Sequence, residues 1–99
     1  MKAEKILTLH PQGKSGKNIS LEKYDVVKQA MLQVLHQREL THTELMDEMT
    51  ESLTGKFTDN IGWYSETIKL DLEAKAIIER TTHKPQKYRL KQGNASGIL

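Results

Sequence analysis

The chain has no cysteine. A disulfide framework and a thiolate metal site are therefore excluded. Two prolines leave long stretches free to form regular structure, and aromatics are few: one Trp, one Phe and three Tyr. No apolar run approaches the roughly 20 residues that span a bilayer. The first thirty residues lack the apolar stretch of a signal peptide, so the expected setting is cytoplasmic, without membrane association. Nor is there an excess of one charge, since 15 basic and 13 acidic residues give a net +2. At 99 residues the chain has room for one core.

The net charge conceals an uneven distribution. Residues 1–20 sum to +3, residues 21–75 to −5 and residues 76–99 to +4. An acidic middle lies between two basic ends, and these would form a basic patch if they met in space.

Ile6 to Leu9 reads as a strand or an extended arm. His10 to Asn18 holds Pro11, Gly13, Ser15 and Gly16 and reads as a loop. Ser20 is a good N-cap for a helix ending near Gln37. Its apolar residues, Tyr24, Val27, Ala30, Met31, Val34 and Leu35, fall within an arc of about 140°. Thr41 and Glu44 fit a capping box for a second helix. That helix carries Leu45, Met46, Met49 and Leu53 inward, places Glu44, Asp47, Glu48 and Glu51 outward, and ends at Gly55. Asp59 or Asn60 caps a third helix reaching about Lys75. Ala76 to Thr81 and Lys87 to Lys91 then read as two strands around a turn holding His83, Lys84 and Pro85.

The expected fold class is α+β. The order of an N-terminal strand or arm, three helices and a C-terminal hairpin is that of the winged helix, a variant of helix-turn-helix. The division would be an arm and basic loop at 1–19, a winged-helix domain at 20–91 and a flexible tail at 92–99. Thr43-Glu44-Leu45 and the stretch from Ile68 to Arg80 carry the resemblance. The latter resembles the join between recognition helix and first wing strand in bacterial winged-helix regulators, with Ala76 where glycine is commoner. The whole chain also resembles an uncharacterised family of bacterial winged-helix-like proteins of about this length. That likeness rests on His10-Pro11 with the Gly-Lys loop, Lys23-Tyr24-Asp25, Gly62-Trp63-Tyr64 and Lys69 to Ala74. It implies the fold and no activity.

In a DNA-binding winged helix the third helix enters the major groove. With Ile68 at the centre of its buried face, Ile61, Tyr64 and Leu72 lie within about 40°. The opposite face holds Trp63, Glu66, Leu70 and Glu73, which suits base reading poorly. Ser65, Thr67 and Lys69 are the groups this reading leaves for DNA. The wing is the stronger candidate, through Arg80, His83, Lys84, Lys87 and Arg89. About four neutralised phosphates would give a salt slope near −3.6. The bland alternative is a lysine-rich edge strand that resists pairing.

Trp63, Leu70, Ala74 and Ile77 make a second apolar stripe. The arm, a second subunit or a different protein would have to cover it. Two functions follow. One is a DNA-binding winged-helix protein of the transcriptional-regulator kind, contacting double-stranded DNA through its wing. The other is a protein-interaction or homodimerisation module using Trp63 and Leu70, without DNA.

No enzyme is expected, and no metal or small-molecule cofactor is implied. Gly13 to Asn18 lacks the glycine spacing of a phosphate loop. His10, His36, His42 and His83 have no ligand spacing. The acids of the second helix read as a solvated face rather than an acid/base pair. The sequon Asn94-Ala95-Ser96 has no secretory context.

Overall fold

A computed structural model describes residues 4–91. The expected tail at 92–99 lies outside the described residues. The architecture is α+β, with three helices and two small antiparallel strand pairs.

Strand β1 (Lys5–Leu7) pairs with β2 (Asn18–Ser20), Ile6 facing Ile19. The loop expected over residues 10–18 gives way at Asn18 to β2, a strand with no signal of its own in the sequence. The hairpin closes tightly: a Cβ on Gly16 would sit 1.6 Å from the Thr8 carbonyl oxygen. No other residue fits there without moving the backbone. Thr8 secures the crossing, its N–H donating to the Lys17 carbonyl at 2.8 Å and its hydroxyl accepting from the Lys17 N–H at 2.8 Å.

Helix α1 (Leu21–Gln37) starts where expected, the Ser20 hydroxyl accepting from the Lys23 N–H. Helix α2 (His42–Leu53) has both halves of the Thr41–Glu44 capping box. Beyond it Gly55 takes φ +86°, a left-handed turn suited to glycine. Helix α3 (Ile61–Ala74) is capped by Asn60, which accepts from the Trp63 N–H at 2.8 Å. Each start is a local hydrogen bond worth about 1 kcal/mol, which is why the sequence announces it.

The core joins one stripe from each helix: Val27, Met31 and Leu35 from α1, Leu45, Met49 and Leu53 from α2, Ile68 and Leu72 from α3. Burying each such side chain contributes about 1.5–3 kcal/mol. Strands β3 (Ile78–Arg80) and β4 (Tyr88–Leu90) pair antiparallel and bring Ile78 and Tyr88 into the same core. Leu40, between α1 and α2, exchanges two backbone hydrogen bonds with Tyr88, at 2.7 and 3.1 Å.

The strand expected from Ala76 begins two residues late because α3 ends in a left-handed cap. Ala76 N–H donates to Glu73 O and Ile77 N–H to Leu72 O, with Ala76 at φ +61°. This is the Schellman arrangement, which usually places glycine where Ala76 stands.

Candidate interaction surface

The inner side of α3 is more polar than its periodicity suggests: Ser65, Ile68, Lys69, Asp71 and Leu72 are all buried. Two residues expected to face DNA are therefore inaccessible. Ser65 lies some 60° from Ile68 around the helix, inside the core-facing arc. Its hydroxyl has no hydrogen-bond partner among the described residues. Lys69 is covered because β4 folds over that flank of α3. Its Nζ donates to the Tyr88 hydroxyl at 3.1 Å and lies 4.4 Å from the centre of the Tyr88 ring. Glu66 Oε1 stands 3.7 Å from Lys69 Nζ and 3.8 Å from His42 Nδ1. Of the α3 candidates for DNA, only Thr67 stays on the open side, half-buried.

The arginines of the β3–β4 hairpin are also committed. Arg80 pairs with Glu73 through Nε at 2.6 Å and stacks 5.6 Å from the Tyr88 ring centre. Arg89 donates to Glu79 at 2.8 Å and to Glu39 at 3.3 Å. These hydrogen bonds, Glu73 for Arg80 and Glu79 for Arg89 first, raise both guanidinium pKa values above the ordinary one. The pairs join the β3–β4 hairpin to α3 and to the α1–α2 connection. His83 and Lys84 are exposed at the turn, and Lys87 is half-buried. None of these three forms an ion pair among the described residues.

Sequence reasoning missed the site that fixes the arm. Asp71 is fully buried, and its carboxylate accepts from the Tyr24 hydroxyl and from the Leu9 N–H at 2.8 Å, with Lys75 Nζ at 3.0 Å. Lys75 Nζ also donates to the Tyr24 hydroxyl at 3.2 Å. Burial, and then the Asp71 hydrogen bond, push the Tyr24 phenol up. Burial disfavours the Lys75 charge, but hydrogen bonds to Asp71 and Tyr24 outweigh it and leave that pKa raised. A carboxylate within 60° of the centre of an apolar face was the available signal, since a buried acid requires partners.

The arm reaches only the C-terminal end of α3. Leu7, Leu9, Pro11 and Ala74 line a shallow cavity of about 380 Å³, with His10 and Lys14 also in its wall. Ile77 packs against the core and Leu70 is half-buried. Trp63 remains 42% exposed, its ring edge-on to Tyr64 at 5.0 Å. Leu7 and Leu9 are 62% and 47% exposed. The open side of α3 thus presents apolar surface at both ends.

Among the described residues no group of three His, Asp or Glu side chains could hold a metal ion, and no helix is long and apolar enough to cross a membrane. No curated protein and no solved structure matches the chain. A family model does match, over residues 5–88, which takes in the arm, all three helices and the β3–β4 hairpin as far as Tyr88; the chain belongs to the family of unknown function DUF6958.

Proposed function

We propose that this chain is a winged-helix module that binds protein through the open face of α3, a binding role and not a catalytic one. Support for the winged-helix reading comes from the order of three helices and a terminal hairpin. The pairing of Leu40 with Tyr88 adds to it, placing the α1–α2 connection alongside the wing as a third strand would lie. The observation that carries the protein-binding reading is Trp63, exposed at the start of a helix face that continues through Leu70 and Ala74. Tryptophan is the side chain most enriched among interface anchors. Among the described residues the cations of α3 and of the strand that follows it are already engaged: Lys69 is buried, Lys75 is paired with Asp71 and Arg80 with Glu73.

A second reading, DNA contact through the wing, is favoured by His83, Lys84 and Lys87, which have no acidic partner among the described residues. With Lys84, Lys87 and Lys91 each meeting one phosphate, the salt slope would be about −2.7. A duplex titration at two salt concentrations, using the full chain, separates the two readings. The protein-binding reading expects no retention at physiological salt. Tight binding with a slope of about −3 that Lys84→Glu abolishes would overturn it.

A further inference from the structure

The hollow between the arm and the last turn of α3 has walls that the fold holds in place. Leu7, Leu9 and Pro11 come from the arm and Ala74 from the helix. Leu9 is fixed through its N–H, which donates to buried Asp71 at 2.8 Å. Thr8, between the two leucines, is bonded twice to Lys17, and Gly16 lies against its carbonyl. Leu7 and Leu9 nevertheless stand open to solvent, at 62% and 47%. Leaving both in water costs stability that a bound apolar chain would recover. At about 380 Å³ the hollow lies at the small end of the range of ligand pockets, and like them it has mainly apolar walls with few polar groups. We propose that it binds a small aliphatic carboxylic acid, the chain against Leu7, Leu9 and Pro11 and the carboxylate against Lys14 and His10. This inference goes beyond the protein-binding reading and does not depend on it.

The sign of the ligand follows from the charges around the hollow. His10 and Lys14 are the ionisable side chains that line it, and no carboxylate does. Lys14 is exposed, and neither it nor His10 forms an ion pair among the described residues. The acids next to Ala74 and Leu9 are engaged elsewhere. Asp71 is fully buried with Tyr24, Lys75 and the Leu9 N–H, and Glu73 is paired with Arg80. An anion therefore meets two uncommitted groups and no carboxylate in the wall. His10 is half-buried, and its Nδ1 accepts from the Gln12 N–H at 3.1 Å, which leaves Nε2 to carry the ring proton as a donor. The wall contains no Phe, Tyr or Trp on which a planar ligand could stack, so an aliphatic chain suits it better than an arene. The hollow is shallow, and a short-chain acid should bind it with a Kd on the order of 1 mM.

Hexanoate is the probe. Titrated into the full chain and followed by amide chemical shifts, it should move the signals of the arm around Leu7 to Gly16 and of the end of α3 around Ala74, along saturable curves. Hexan-1-ol has the same chain without the charge and should bind roughly fivefold more weakly, and hexylammonium more weakly still. Lys14→Glu should lower hexanoate affinity by roughly tenfold and leave hexan-1-ol unaffected, a split that a disturbed fold would not produce. Ala74→Leu should abolish binding of both by filling the hollow. Leu7→Gln, at an exposed wall position, should weaken both alike and serves as the second variant if Ala74→Leu does not fold. Unchanged far-UV circular dichroism and melting temperature would confirm folded variants. Trp63→Ala, about 16 Å along α3 from Ala74, should leave hexanoate binding unchanged.

Equal affinity for hexanoate, hexan-1-ol and hexylammonium would overturn the proposal, because Lys14 and His10 would then have no part in it. So would hexanoate shifts that do not saturate, that fall outside the arm and the end of α3, or that survive both Ala74→Leu and Leu7→Gln.

Discussion

Replacing Asp71 by Ala tests the group that holds the N-terminal arm to the helical body. The native carboxylate is fully buried and takes contacts from three elements: Tyr24 of α1, Leu9 of the arm, and Lys75 at the end of α3. A hydrogen bond to a charged group contributes about 1.5–3 kcal/mol, and breaking a buried ion pair by removing one partner costs about 3–5 kcal/mol. The Lys75 side chain is partly exposed, at 29%, and can turn its charge toward water. Tyr24 retains its contact with Lys75. The Leu9 N–H has no such substitute. These reliefs place the loss at the lower end, about 3 kcal/mol. A domain of this size has about 5–15 kcal/mol in all, and each kcal/mol moves the melting temperature by about 4–8 °C. Calorimetry should therefore show Asp71→Ala melting about 12–24 °C below wild type. Hydrogen exchange should show the Leu9 amide losing its protection at temperatures where the α2 amides keep theirs. A loss under 1 kcal/mol with the Leu9 amide still protected would refute the reasoning, because the arm would then be held by something other than Asp71.

Ala76→Gly should stabilise the chain by about 1 kcal/mol, since a left-handed backbone costs a non-glycine residue about 1–2 kcal/mol and glycine gives part of that back in unfolded-state entropy; urea denaturation would read it as a higher midpoint at unchanged slope. Ser65→Ala should be neutral or stabilising by up to about 1 kcal/mol, because it deletes a buried hydroxyl that has no partner among the described residues; a loss above 1 kcal/mol would mean that hydroxyl is hydrogen-bonded. The phenol of Tyr24 and the ammonium of Lys75 both have raised pKa values in the folded chain. Their contribution is complete below the unfolded values of 10.0 and 10.5 and is lost as pH rises through the folded ones. Thermal melts should therefore show stability falling above about pH 10, and Tyr24→Phe should flatten part of that fall; an unchanged profile in the variant would show that Tyr24 has no part in it.

The helices were legible in the sequence because their signals are local. Ser20, Thr41 with Glu44, and Asn60 each reach a backbone N–H three residues on. The apolar stripes between them need only helical periodicity. Strand β2 was hidden because Asn18 to Ser20 becomes a strand only by pairing with Lys5 to Leu7. Gly16, which looks like loop punctuation, is there because the Thr8 carbonyl leaves no room for a Cβ. The burial of Lys69 was hidden for a related reason. Nothing on α3 announces that Tyr88, nineteen residues later, lies over its ammonium.

The same limit governs the charge of the β3–β4 hairpin, and it decides how the DNA reading can be tested. Counting along the chain assigns every cation of residues 76–99 to the surface. In the fold, Arg80 is tied to Glu73, and Arg89 to Glu79 and Glu39, all acids that the count places elsewhere or cancels only as a sum. A segment's net charge is thus an upper limit on the charge it can offer a partner, reached only when its cations have no neighbours of opposite sign. Arg80→Ala would remove a tie between the hairpin and α3 and leave Glu73 without its partner, so lost DNA binding in that variant would not distinguish a lost contact from a displaced hairpin. Lys84→Glu alters a side chain in no ion pair among the described residues. Its effect on DNA binding can be read as a phosphate contact, provided the melting temperature is unchanged. The substitutions that test recognition are those whose side chains the fold does not already use.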